Sequence, residues 1–365
     1  MQCYHHTSVV VLSAQFLLLL ALPSRAAGDP AQDIAKADTL LNNGKPKQAA
    51  GILRGVISSH PDNAAAHMEL GAALASMADN NEYDAAIAEE ETALKLDPKS
   101  YGARKILGQI YANQNKMQES LKILEEACTY NPNSYGAHRD LGKAQMAAGK
   151  TDDAIRSFRK AVVLNPEKID AHNKLAGLLS KTDQHKEAIE EARKAVKLDL
   201  STPESHLALG NALLAAGDRS AAVEAFEKTM DTNAVKGRRN PLTQASALSG
   251  RGWAFSSSSA ELQAAVNDQR QAIKIFPSFG PAYIRLAELL SRQDKNKEAE
   301  SIYKSSMRFS GDDPSVATAY AKFLSKTQRG TEAREMLKKV LEKKPDYKPA
   351  VEALSQIGNI REESK

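Results

Sequence analysis

Cysteine is almost missing from this chain, which has Cys3 and Cys128 in 365 residues. A small framework stapled by disulfides is therefore excluded. Aromatic residues make up 5% of the sequence, with a single tryptophan, too few for a β-sandwich or barrel, whereas the abundance of Ala, Leu and Lys suits helices. No block of one charge sign occurs: 49 Lys and Arg are scattered among 45 Asp and Glu, a net charge of +4, which argues against a nucleic-acid partner. The motifs of catalysis are missing as well. There is no G-x-S-x-G elbow, P-loop, H-E-x-x-H or paired-cysteine motif, so neither an enzyme nor a cofactor or metal site is expected.

Long hydrophobic runs are also scarce. The longest, Val9 to Leu22 (VVVLSAQFLLLLAL), falls short of the about 18 residues of a comfortable membrane span. Pro23 and the small residues around Ala26 follow it, so residues 1–26 read as a secretory signal. The segment before the run has no Lys or Arg, which leaves an uncleaved membrane anchor as the alternative. After cleavage the mature chain would keep Cys128 alone and no membrane span. The lack of an N-x-S/T sequon favours a periplasmic or other extracellular setting in a bacterial envelope.

What the chain does have is repetition. Ser100-Tyr-Gly-Ala-Arg104 returns 34 residues later as Ser134-Tyr-Gly-Ala-His138. Written in rows of that length, the eighth place is always small: Ala37, Gly71, Gly108, Gly142, Ala176, Gly210, Ala287 and Ala321. The twentieth is Ala49, Ala86, Ser120, Ala154, Ala188, Ala222, Ala299 and Ala333, and Pro61, Pro98, Pro132, Pro166 and Pro345 stand near row ends. Between these marks apolar residues recur at helical spacing, giving two amphipathic helices per row. A glycine inside a helix costs about 1 kcal/mol relative to alanine, so its return implies a close approach, expected to be met by the small twentieth residue. The prolines stop each second helix. Tyr101 and Tyr135 are expected to open first helices. Three extra residues near Asp79 to Asn81 are assigned to the turn of row two, and row seven reaches Gly252 only with a one-residue slip.

His138-x2-Leu141-Gly142-x2-Gln145, then Ala154-x3-Phe158 and Pro166, resembles the tetratricopeptide repeat, and the resemblance covers about 30–347 in nine rows. It implies an all-α fold, a right-handed superhelical solenoid of about nine helix pairs plus a C-terminal capping helix. The expected organisation is a signal at 1–26, rows one to six over 30–236, an insertion or hinge at 237–245, rows seven to nine over 246–347, and a cap and tail over 348–365. His67, His138, His172 and His206 share the fourth place, where the family has Trp. Equivalent places in adjacent rows stand roughly 10 Å apart, too far for one metal ion, so flat packing residues are expected there. Cys128 takes an aliphatic place and reads as a buried thiol, and Trp253 reads as core.

The resemblance also implies a concave face lined by first helices and holding a peptide or protein partner, with the second, fifth, sixth, ninth, twelfth and thirteenth places pointing into it. In rows three to six these include Lys105, Gln109, Asn113, Arg139, Lys143, Asn173, Lys174, Lys181 and Asn211. Cations select carboxylates and amides bond peptide backbone, so the expected partner is an acidic segment or a free C-terminal carboxylate. The carboxylate clamp of chaperone-binding members is not matched, because Asp140 stands where an Asn would receive the carboxylate. The expected function is a non-catalytic interaction scaffold, with a self-associating structural solenoid as the alternative.

Overall fold

The structure, a computed structural model, describes residues 29–77, 80–234, 240–257, 260–309 and 313–359. The expected signal at 1–26, residues 237–239 of the insertion and the tail from Ile360 lie outside them. The described residues form nineteen helices and no strand. They make nine pairs joined by short turns. In the first six rows these are α1 (Pro30–Asn42) with α2 (Pro46–Ser59), α3 (Ala64–Ala75) with α4 (Asn80–Leu96), α5 (Tyr101–Asn113) with α6 (Met117–Tyr130), α7 (Tyr135–Ala147) with α8 (Thr151–Leu164), α9 (Ile169–Leu179) with α10 (His185–Leu198), and α11 (Pro203–Ala215) with α12 (Arg219–Asn233). Then come α13 (Pro241–Phe255) with α14 (Leu262–Ile275), α15 (Gly280–Ser291) with α16 (Asn296–Phe309), and α17 (Pro314–Lys326) with α18 (Gly330–Lys343), followed by the unpaired α19 (Lys348–Asn359). The helices group into two compact units, one ending at Asn131 and the other beginning at Pro132.

Local chemistry explains the helix ends. The repeated Ser-Tyr-Gly-Ala opens a first helix each time: the Ser100 and Ser134 hydroxyls accept hydrogen bonds from the amides of Ala103 and Ala137. In six of the pairs the turn carries a left-handed residue at the fifteenth place. Gly44, Gly149 and Gly217 supply it without strain, while Asn115, Asp294 and Gln328 adopt the same positive φ. Of the extra residues near Asp79 to Asn81, Asp79 lies outside the described residues, and Asn80 and Asn81 open a helix and do not belong to the turn. The extra length of row two is in its second helix, since α4 has 17 residues where α2, α6, α8 and α10 have 14.

Packing follows the small-residue marks, with one correction. The twentieth residue does lie against the backbone of the first helix, as where the Ser120 hydroxyl donates to the Gly108 carbonyl at 2.7 Å. The space left by the missing Cβ is filled by the twenty-fourth residue instead. A Cβ on Gly108 would meet the Leu124 side chain at 2.9 Å, and one on Gly142 would meet the Phe158 ring at 2.9 Å. Phe158, Leu175, Leu179 and Phe226 are fully buried in one unit, Leu53 and Ile110 in the other. Each such side chain contributes about 1.5–3 kcal/mol, and the ladder of these contacts holds the pairs together.

The histidine place is likewise not filled by inert packing rings. His67, His138 and His172 each direct Nε2 at a proline carbonyl six residues earlier, at 2.9, 2.9 and 2.8 Å, and His206 does the same to Leu200 at 2.9 Å. Arg104 and Tyr283 replace the ring with a guanidinium and a hydroxyl, bonding the carbonyls of Pro98 and Pro277. In rows two to six and row eight the carbonyl past the preceding second helix thus gains a partner from a donor at the fourth place. His67 and His172 also hold Glu89 and Glu191 at 2.6 Å through Nδ1. Burial alone would lower the His172 pKa, but its bonds to Glu191 and the Pro166 carbonyl outweigh this and raise it.

Candidate partner-binding face

First helices touch first helices. Within the second unit α9 packs on α11, α11 on α13, α13 on α15, α15 on α17 and α17 on α19, and in the first unit α1 packs on α3 and α3 on α5. In each unit this makes a face of adjacent first helices, from which the places away from the partner helix project.

The expected site residues divide between the two units. Lys105, Gln109 and Asn113 lie on α5 of the first unit. Gln109 and Asn113 are exposed, and the Asn113 amide reaches the Tyr83 hydroxyl at 3.5 Å. The charge of Lys105 lies close enough to Glu69 to oppose the rise of that carboxyl's pKa, which burial and Asp38 drive.

In the second unit the cations are less free than the sequence alone suggests. Arg139 Nε donates to Asp140 at 2.8 Å, the same carboxylate lies 4.0 Å from Lys143, and Arg139 stacks over the Tyr135 ring. The Tyr135 hydroxyl donates to Asp170. Asn173 spans to α11 by donating to the Ser205 hydroxyl at 3.1 Å. Lys143, Lys174, Lys181 and Asn211 remain exposed.

A more enclosed site lies further along the same unit, where no site residue was expected. A cavity of about 450 Å³ opens on the first helices of rows seven to nine and on α19. Its aromatic part is Tyr303 of α16 and Phe323 of α17, with ring centroids 5.4 Å apart, and Trp253 of α13. Trp253 is thus not core. It is half-buried and faces the cavity, held by the Arg285 guanidinium 5.8 Å from its ring, while Arg285 itself donates to the Ser249 hydroxyl at 2.9 Å. Arg292, Lys322 and Lys326 bring positive charge to the rim. Glu288 stands among these cations, and burial pushes its carboxyl up against the pull of Arg285, Lys322 and Arg292. Ser315 and Thr318 contribute hydroxyls, and Tyr347 and Pro349 close the side formed by the last turn and α19.

The signal for this site was in the register. Gly252 acts as the eighth residue of row seven, because a Cβ there would lie 3.0 Å from the carbonyl of Ala265, the twentieth. Trp253 is then a ninth-place residue, as are Glu288 and Lys322, and Arg292 and Lys326 are thirteenth-place residues. Cys128 also departs from expectation, since it is half-buried.

The tetratricopeptide repeat sequence profile matches residues 34–77, 76–135 and 139–204, and a second profile of the same description matches 293–357. No curated protein matches the chain. Among solved structures, a tetratricopeptide repeat protein from Parabacteroides merdae is similar over 80% of this chain and 97% of its own, at 13% identity and a TM-score of 0.54. The Cut9–Hcn1 hetero-tetramer of the APC/C is similar over 83% of this chain and 57% of that one, at 16% identity and a TM-score of 0.53. YrrB, described as a repeat protein of this kind with an unusual peptide-binding site, covers 50% of this chain and 93% of its own, at 20% identity and a TM-score of 0.42. These likenesses concern the fold.

Proposed function

Because the chain belongs to the tetratricopeptide repeat family, we propose that it is a non-catalytic scaffold that holds a peptide or protein segment against the face of its first helices. The observation that carries this reading is the set of side chains left over by packing. Lys143, Lys174, Lys181 and Asn211 are exposed at groove places of three successive first helices and their turns. Single exposed ion pairs contribute only about 0.2–1 kcal/mol, so affinity comes from several such groups on a preformed surface. The amides serve a partner's backbone, and the lysines favour one rich in carboxylates.

The test is capture from an envelope extract by the full chain and by a variant carrying K143E, K174E and K181E, after circular dichroism shows that the variant keeps its helical signal. Partners captured by the unmodified chain and lost by the variant support the scaffold reading. The same set captured by both would remove these lysines from it.

The run Val9–Leu22 is read as an export signal, which sets the scaffold in the periplasm or outside the cell. N-terminal sequencing of the protein from an envelope fraction checks this. A start near Ala27 supports export with cleavage, and an intact Met1 supports the anchor.

A further inference from the structure

Within the scaffold reading, on which this rests, we propose that the cavity bounded by α13, α15, α17 and α19 anchors an acidic peptide segment through one large aromatic side chain. Its volume of about 450 Å³ falls in the range of sites that enclose small ligands, roughly 300–1,000 Å³. That is room for one ring and the backbone beside it. Tyr303, Phe323 and Trp253 line it with rings, and aromatic pairs in edge or offset-face contact gain more than their buried area alone.

The walls are already in place. Arg292 Nη2 donates to the Ser256 carbonyl at 2.7 Å, and the Arg285 guanidinium lies 5.8 Å from the Trp253 ring. Binding therefore orders few side chains, which limits its entropic cost.

Charge selects the flanks of the segment. Lys322 and Lys326, one turn apart on α17, are exposed at the mouth of the cavity, and Arg292 joins them from α15. Glu288 is the one carboxylate among the described residues of the lining, and with Arg292, Lys322 and Lys326 it makes their sum net positive. Carboxylates on either side of the anchoring ring complement it.

A second observation points to a ligand independently. Thr318 is 3% exposed, lines the cavity and has a hydroxyl with no hydrogen-bond partner. A threonine inside a helix ordinarily bonds a carbonyl of the preceding turn, and a buried hydroxyl left unmade carries a penalty. The oxygen itself is covered by protein, so a peptide carbonyl or carboxylate that accepts from Thr318 does so after the side chain turns its hydroxyl into the cavity, which removes that penalty.

Fluorescence anisotropy tests this with the full chain and one probe: a dye-labelled, acetylated and amidated heptapeptide with a central phenylalanine between pairs of aspartates. Two control peptides replace the phenylalanine by alanine or the aspartates by asparagine. The parent peptide binds, and each control binds at least about tenfold more weakly. The K322E/K326E variant loses about tenfold or more for the parent peptide and little for the asparagine control. T318V weakens the parent by about three- to tenfold while the thermal midpoint stays level or rises, since it removes an unpaired group.

Equal binding of parent and controls overturns the proposal, as does unchanged affinity in K322E/K326E. A T318V variant that loses stability but keeps its affinity does the same. Tighter binding by a chain ending at Asn359 would assign the cavity to the protein's own tail, and a mass that rises with concentration only when Lys322 and Lys326 are intact would assign it to a second copy. Either result overturns the choice of occupant. Should the peptide fail while capture still depends on Lys143, Lys174 and Lys181, this inference falls and the scaffold reading stands.

Discussion

Rows two and six fill the same place of the repeat with opposite chemistry. In row six the twenty-fourth residue is Phe226, fully buried between Gly210 of α11 and Gly250 of α13. A Cβ on either glycine would come within 2.7 or 2.4 Å of the ring. In row two that residue is Glu90, equally buried against Gly71, and neither of its carboxyl oxygens has a hydrogen-bond partner. Burial, aided by the charges of Glu69 and Glu89, pushes its pKa up to about 10, so at neutral pH it packs as an uncharged acid. The repeat thus prescribes a volume opposite the eighth-place glycine and leaves its chemistry open. Leu124 and Phe158 meet that demand in rows three and four without a polar group.

The largest effects break the row-six side of the comparison. F226A removes a fully enclosed ring and should cost about 3–5 kcal/mol in urea unfolding. G250A, which forces a methyl into the same ring, should cost about 1–3 kcal/mol. The double variant should cost less than the two together, because the cavity left by the ring accepts the methyl. Strict additivity would show that the glycine and the ring do not compete for one space.

Smaller effects sharpen the row-two side. E90L replaces an unpartnered acid by the kind of residue that row three uses, and should gain about 1–3 kcal/mol at pH 7. A loss there would mean that row two needs the polar group. The pH dependence has a definite sign. Below the ordinary value of 4.5 the carboxyl is protonated in folded and unfolded chains alike. Between there and about 10 only the folded chain keeps the proton, so stability falls as pH rises, by up to about 1.4 kcal/mol per pH unit. E90Q keeps the shape and cannot titrate. It should match the parent near pH 5 and exceed it increasingly toward pH 9, and parallel curves for the two would sink the assignment.

Much of the fold was legible in the spacing of small residues, because a missing side chain at a helix crossing is a direct trace of the contact made there. Tyr101 and Tyr135 open first helices for a reason visible in the chain, the capping serine before each. The histidines were harder. Their common place was apparent, but their role depends on a carbonyl left over by the previous helix, and Arg104 and Tyr283 fill that role in rows where no histidine marks it. The cavity was missed because the slip in row seven hid Trp253 among core residues. Whether a half-apolar ring is covered or open depends on its neighbours in the next rows, here Arg285 and Lys322. In the basic stripe the sequence presents Arg139 as available, and the structure pairs it with Asp140.

By itself the sequence determined the repeat, the helix pairs, the small residue at each crossing and the family to which the chain belongs, all of which follow from local spacing and backbone preference. The protonation of Glu90, the engagement of Arg139 and the opening of the pocket beside Trp253 were decided by the tertiary structure. Solvation and charge pairing depend on which side chains from other rows lie within a few ångströms, and only the packed helices set those distances.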